Sequence, residues 1–140
     1  MISVHEKSVL IAGAGRGIGK RLAMGFAQAG ARVGLLSRSQ AELDLAKLEI
    51  EQAGGNALRI RADVRDLEQM CAAVDRVHAV FGALDVLIVA AGVQGPVGPL
   101  LSTKAKAWNE TVAPPVPGLP LQVTRCRAAH GPWKTVTAFG

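Results

Sequence analysis

The sequence predicts an α/β fold in which a doubly wound parallel sheet carries helices on both of its faces. Four short apolar runs are separated by three segments with helical periodicity, so strands and helices alternate along the chain. The connections are short, which favours parallel strands joined by right-handed crossovers. We expect the sheet to be truncated after about four strands.

The first predicted strand, residues 7–12, is a compact aliphatic run that ends at a glycine. A helical period begins at Gly17 and ends at Gly30. Its apolar positions, spaced by four residues, are Ile18, Leu22 and Phe26. These three side chains are predicted to pack the first helix on the sheet.

Residues 31–36 form the second predicted strand. Ser39 and Glu42 then have the spacing of a capping box, in which each side chain satisfies a free backbone N–H at the start of a helix. The apolar face of this second helix is given by Leu43, Ala46 and Ile50.

Apolar and polar residues alternate enough in residues 57–62 to predict a third strand. Asp66 can cap the helix that follows. Gly82 is the predicted stop of this third helix. Its apolar residues fall at helical spacing and are Met70, Val74, Val77 and Phe81. The fourth run, residues 85–91, is almost entirely apolar and suits a strand covered on both faces.

A glycine-rich segment, residues 13–19, joins the first strand to the first helix. A helix N-terminus stabilises a phosphate if the backbone can approach closely, and only glycine permits that approach. The usual G-x-G-x-x-G spacing is not met, because Ile18 stands at the sixth position from Gly13. The alternative is a glycine-rich turn without a ligand, but the position inside a repeated β-α array favours a dinucleotide site.

Four segments resemble, in order and spacing, the landmarks of the short-chain dehydrogenases/reductases. They are the glycine segment and, after the next three strands, Ser37-Arg38, Asp63-Val64 and Ala90-Ala91-Gly92. The resemblance extends from about residue 7 to residue 112. It implies a Rossmann-like fold that binds a nicotinamide dinucleotide and a family chemistry of carbonyl reduction or alcohol oxidation.

By this resemblance, Ile18 and three glycines line the pyrophosphate and adenosine, Asp63 accepts a hydrogen bond from the adenine amino group, and Gly92 lies by the ribose. The complete predicted cofactor site is Gly13, Gly15, Arg16, Gly17, Ile18, Gly19, Ser37, Arg38, Asp63, Val64, Ala90, Ala91 and Gly92.

The charges of this site favour NADP over NAD. A site for NAD usually has a carboxylate about 20 residues after the glycines, whereas the second strand here ends in Ser37-Arg38. The guanidinium of Arg38 can bind a 2′-phosphate through charge-assisted hydrogen bonds, and Arg16 can reach the same phosphate from the glycine segment.

The chain departs from the family in ways that bear on catalysis. Ala12, Val89 and Ala90 stand where the family usually has a threonine and two asparagines, and Pro115 stands where it has an asparagine of the proton relay. The sequence contains no tyrosine, so the family's Tyr-x-x-x-Lys is missing. The family's catalytic serine is missing as well. We therefore assign no catalytic residue and no metal ligand, and we expect no turnover by this chain alone.

The composition divides the chain into a dinucleotide-binding domain, residues 1–113, and an atypical tail, residues 114–140. The tail contains four of the seven prolines: Pro114, Pro115, Pro117 and Pro120. Repeated prolines make a continuous helix in this region unfavourable. A sheet truncated after the fourth strand would leave an apolar edge, which the tail, a second copy or a partner chain must cover.

Composition also bears on the location of the protein and on other classes of partner. No apolar stretch is long enough to span a bilayer and no secretory signal is apparent, so we expect a cytoplasmic protein that does not bind membranes, with Cys71 and Cys126 as reduced thiols. The net charge of +5 comes from scattered residues, and nucleic-acid binding ranks last. The main alternative to an NADP-binding oxidoreductase is a non-catalytic dinucleotide-binding or partner-dependent module.

Overall fold

A computed structural model describes residues 3–90, Lys106 and residues 134–137. The strands are β1 (Ser8–Ala12), β2 (Arg32–Ser37), β3 (Asn56–Arg61), β4 (Val86–Val89) and β5 (Lys134–Thr137). The helices are α1 (Gly17–Gln28), α2 (Gln40–Gln52) and α3 (Leu67–Phe81).

The strands form one sheet in the order β3-β2-β1-β4-β5, and every neighbouring pair is parallel. β1 therefore lies between β2 and β4, and the carboxyl ends of all five strands meet at one edge. Ala12 at the end of β1 pairs with Leu36 on one side and with Val89 on the other. The predicted doubly wound parallel sheet is confirmed.

The core consists of two apolar clusters, one on each face of the sheet. On one face α1 and α2 pack through small and branched residues such as Ala23 and Leu43. On the other face α3 packs through Met70, Val74 and Val77. The nearly continuous apolarity of β1 follows from this arrangement, because its residues alternate between the two clusters and all are buried.

The second and third helices have the buried faces and the N-cap residues that the sequence predicts, although the Glu42 half of the predicted capping box is not formed. Ser39 Oγ accepts a hydrogen bond from Glu42 N, and Asp66 caps α3 by accepting from Glu68 N and Gln69 N. Gly82 ends α3 in the left-handed conformation, at φ 82°. The predicted inward-facing residues of both helices are buried.

The predicted face of α1 is wrong. Ile18 is 54% exposed, and the buried residues of the helix are Gly19, Ala23 and Ala27. Leu22 and Phe26 lie at the margin of the cluster. Small residues bring α1 close to the sheet: a Cβ on Gly19 would lie 2.0 Å from the carbonyl oxygen of Gly13.

The tail supplies a strand that the sequence did not predict. β5 pairs with the edge of β4, in a register that joins Val86 to Lys134 and Val89 to Thr137. Of the three covers expected for the edge of β4 (the tail, a second copy or a partner chain), the tail is the one that the structure shows. The boundary between residues 113 and 114 lies outside the described residues and stays a prediction.

Two further expectations concern cysteine and membranes. Cys71 is disulfide-bonded, so the expectation of a reduced thiol is wrong at this position; Cys126 lies outside the described residues. In the part of the chain that the structure describes, no helix has the length and apolarity needed to cross a membrane. The cytoplasmic location stays a prediction.

The contact between Gly19 and Gly13 predicts that Gly19→Ala destabilises the fold. The clash would be with backbone, which cannot move aside like the end of a side chain, so we expect a loss of about 1–3 kcal/mol in the free energy of unfolding. Urea denaturation followed by circular dichroism would measure it.

The matched control is Gly25→Ala in the same helix. A Cβ on Gly25 would meet nothing within 4 Å, so alanine should instead stabilise the helix by roughly 0.5–1 kcal/mol. Equal effects of the two substitutions would contradict the inferred contact.

Candidate cofactor site at the carboxyl edge of the sheet

The candidate site lies where the carboxyl ends of β2, β1 and β4 meet. The loop after β1 is held to β2, because Gly13 N and Ala14 N both donate hydrogen bonds to Leu36 O, at 2.8 and 3.1 Å. On the other side, Ala90 N donates to Ala12 O at 2.9 Å. In open parallel sheets ligands bind beyond this edge, next to the central strand.

Three glycines of the loop have a conformation or a contact that other residues would not tolerate. Gly13 and Gly17 have positive φ values of 86° and 59°, where side chains are strained. Gly19 admits no Cβ, as described above. Together they let the start of α1 turn sharply from the end of β1, which leaves a backbone cradle in front of the helix.

The N-terminus of α1 is suited to an anion. Arg16 at its N-cap makes no side-chain cap, and the first turn contains no acidic residue. The first hydrogen bond toward this end runs from Lys20 N to Arg16 O, so the preceding amide groups have no helical partner. α2 and α3, by contrast, each have a side-chain cap and a glutamate in the first turn.

Two exposed arginines flank this cradle. Arg16 belongs to the loop itself and Arg38 directly follows β2. Neither guanidinium donates a hydrogen bond to another side chain or carbonyl within the described residues, so both can bind a phosphate. The carbonyl oxygen of Arg38 accepts a hydrogen bond from Arg61 Nε at 3.2 Å.

Asp63, which follows β3, is already engaged by a neighbour. Its carboxylate accepts hydrogen bonds from the backbone N, Nε and Nη2 of Arg65, at distances from 2.7 to 3.2 Å. The Arg65 hydrogen bonds lower the pKa of Asp63 to about 2, with a smaller contribution from the charge of Arg38. The carboxylate therefore stays ionised at neutral pH and can still accept a further hydrogen bond.

Ser37 and Glu42 form the part of the site that differs most from the sequence interpretation. Only half of the predicted capping box is present: Glu42 N donates to Ser39 Oγ at 3.4 Å, but Ser39 N donates to Ser37 Oγ, at 3.3 Å. The carboxylate of Glu42 instead lies against Gly15. A Cβ on Gly15 would be 2.6 Å from Glu42 Oε2 and 2.8 Å from Ser37 Oγ.

Sequence reasoning missed Glu42 as a site residue, because the capping-box spacing already accounted for its side chain. The sequence offers no separate signal for this position, because Glu42 lies in α2, beyond the end of β2 where the acid of an NAD site usually stands.

The other predicted site residues lie around this edge or beyond the described residues. Ile18 is exposed beside the cradle, Val64 packs at the margin of the α3 cluster, and Ala90 is half-buried. Ala91 and Gly92 lie outside the described residues. The edge lacks three polar side chains usual in the family, since Ala12 and Val89 are fully buried and apolar and Ala90 is a half-buried alanine.

The pairing of Asp63 with Arg65 predicts a pH dependence. Because the folded-state pKa of Asp63 is lowered from 3.8 to about 2, the stabilisation is complete above pH 3.8 and is lost as the pH falls toward 2. Arg65→Met should return the pKa of Asp63 toward 3.8, as measured by NMR titration of the side-chain carboxyl. The loss in the free energy of unfolding that Arg65→Met causes should shrink as the pH falls from 3.8 toward 2.

Arg76→Met is the matched control, since Arg76 is also an exposed arginine but lies on α3. The pKa of Asp63 should not change in this variant. If the pKa of Asp63 does not change in Arg65→Met, Arg65 is not the cause of the lowered pKa.

Comparison with known proteins agrees with this geometry. The sequence profile of the short chain dehydrogenase family matches residues 7–124. The cis-4-hydroxycyclohexanecarboxylate dehydrogenase of Sinomonas cyclohexanicum is 34% identical over 116 residues, which cover 83% of this chain and 46% of that protein. The chain spans less than half the length of the curated relatives that it matches.

Solved structures have the same fold. A metagenomic short-chain oxidoreductase in complex with NADP matches with a TM-score of 0.77 and 29% identity, over 99% of this chain and 65% of that one. An NAD⁺-bound xylitol dehydrogenase matches with a TM-score of 0.85 and 26% identity, over 97% of this chain and 54% of that one. Since the family profile matches most of its sequence, this chain belongs to the short-chain dehydrogenase family.

Proposed function

We propose that this chain binds NADP(H) at the carboxyl edge of its sheet, as the cofactor-binding half of an oxidoreductase. The observation that carries the proposal is the uncapped N-terminus of α1 behind a glycine cradle. The free amides there suit a pyrophosphate. Arg16 and Arg38 would bind the 2′-phosphate, and Asp63 would accept from the adenine amino group.

The remaining contacts would come from the strand ends and from the segment after β4. Ser37 would donate to the adenosine ribose or its phosphate, and Val64 and Ile18 would contact the adenosine with apolar surface. Ala90, Ala91 and Gly92 would border the ribose. Family relatives determined with NADP and with NAD⁺ both exist, so the preference for NADP rests on the two arginines.

We further propose that this chain alone does not turn over a substrate. A bound nicotinamide would supply the hydride donor or acceptor. Proton transfer by a positioned group typically contributes 10²–10⁴-fold, and the sequence contains no tyrosine to provide it.

The alternative function is a dinucleotide-binding module that works with a partner chain or a second copy. One observation favours it: no described strand pairs with the outer edge of β5. An unpaired parallel edge can accept a strand from another polypeptide.

The proposed cofactor preference predicts that Arg38→Asp weakens NADPH binding much more than NADH binding. A carboxylate would repel the 2′-phosphate, whereas NADH has a hydroxyl at that position. We expect the dissociation constant for NADPH to rise by about tenfold or more, equivalent to about 1.4 kcal/mol. Fluorescence titration with each dinucleotide measures the change.

Lys7→Asp provides the same change of charge at the opposite end of the sheet, since Lys7 precedes β1. This substitution should leave the ratio of the NADPH and NADH dissociation constants unchanged. Equal weakening of NADPH and NADH by Arg38→Asp would rule out Arg38 as the group that binds the 2′-phosphate.

The absence of turnover predicts that NADPH binds without being oxidised when carbonyl compounds are added to the purified chain. Absorbance at the nicotinamide band, followed over hours with a panel of ketones and aldehydes, would test this. Substrate-dependent oxidation of NADPH would contradict the proposal. Salt-sensitive DNA binding without NADPH binding would instead favour the nucleic-acid alternative.

A further inference from the structure

Glu42 occupies a position that the proposed function does not use. It lies in the first turn of α2, half-buried, and its carboxylate is turned toward the glycine loop. The space that a side chain on Gly15 would fill is shared by Glu42 Oε2 and Ser37 Oγ. A carboxylate and a hydroxyl thus lie together between the end of β2 and the cradle.

The surroundings of this carboxylate suit an acidic side chain that can bind a ligand. The N-terminal turn of α2 provides the positive end of a helix dipole, which stabilises an acid in the first turn. Glu42 forms no ion pair within the described residues, whereas Lys20 and Lys47 pair with Glu49 and Glu51 farther along α2. Its oxygens therefore remain able to accept hydrogen bonds from a ligand.

The position fits a role in reading the adenosine ribose. Dinucleotide sites that prefer NAD have an acid about 20 residues after the glycines, which accepts from the ribose 2′-hydroxyl. β2 ends without an acid, but the fold brings one to its end from α2. This carboxylate would accept from a hydroxyl and would repel a phosphate, the opposite of what Arg38 does.

We propose that Glu42 is a specificity-determining residue that limits the preference of this site for NADPH over NADH. The inference rests on the proposed dinucleotide binding. It adds that the site holds two opposing charges, Arg38 for the 2′-phosphate and Glu42 for the 2′-hydroxyl. The native chain then binds both dinucleotides, with a smaller difference in affinity than its arginines alone would produce.

The test is Glu42→Gln, which keeps the shape of the side chain and removes its charge. We expect the ratio of the NADH to the NADPH dissociation constant to rise about tenfold or more, mainly through tighter NADPH binding. Adenosine 2′,5′-bisphosphate and 5′-AMP, which lack the nicotinamide, should show the same change of ratio. Thermal unfolding of each variant checks that the fold is retained.

Glu51→Gln is the matched control, because it removes the same charge from the last turn of the same helix. It should leave the ratio unchanged. An unchanged ratio in Glu42→Gln, or an equal change in Glu51→Gln, would overturn the inference while leaving dinucleotide binding intact. If the native chain binds neither dinucleotide, the proposed function fails and the inference fails with it.

Discussion

The contact between Gly19 and the carbonyl of Gly13 is the constraint on which the site depends. It allows α1 to begin almost against the end of β1, so the first amides of the helix, which have no helical partner, face the edge of the sheet. The same closeness places Ala23 and Ala27, rather than larger residues, on the sheet. Because Gly13 N and Ala14 N are bonded to Leu36 O, the loop is also fixed relative to β2. One backbone contact thus sets the spacing between the amides of α1 and the residues that follow β2.

Much of the fold could be predicted from the sequence because its helices and strands have strong periodic patterns. α2 and α3 bury the residues that their spacing indicates. α1 buries other residues than its spacing indicates. Close packing on the sheet requires alanine and glycine, and these residues contribute little to a hydrophobic pattern. The larger Ile18 and Phe26 dominated the pattern, and the helix face was assigned one residue away from the observed face. β5 was missed because four residues in a proline-rich tail give too short a pattern.

Part of the candidate site could likewise be predicted from the sequence, and part could not. The glycines could be identified from their order along the chain, since a turn with positive φ and a close helix approach require that residue type. Glu42 could not, because its side chain has two competing partners, the backbone of Ser39 and the space beside Gly15. The hydrogen bond between Ser39 N and Ser37 Oγ decides between them. A local sequence pattern identifies candidate partners but does not decide which contact is formed in the tertiary structure.

The pairing of β5 with β4 also bears on the order of folding. β1 to β4 are joined by short crossovers through local helices, whereas β5 returns after residues 90–133 to reach its neighbour. The entropy cost of closing a loop increases with its length, and distant pairings slow folding. The glycine loop and its surrounding strands belong to the part that forms through local contacts. During synthesis this part can therefore assemble on the ribosome before β5 has been translated.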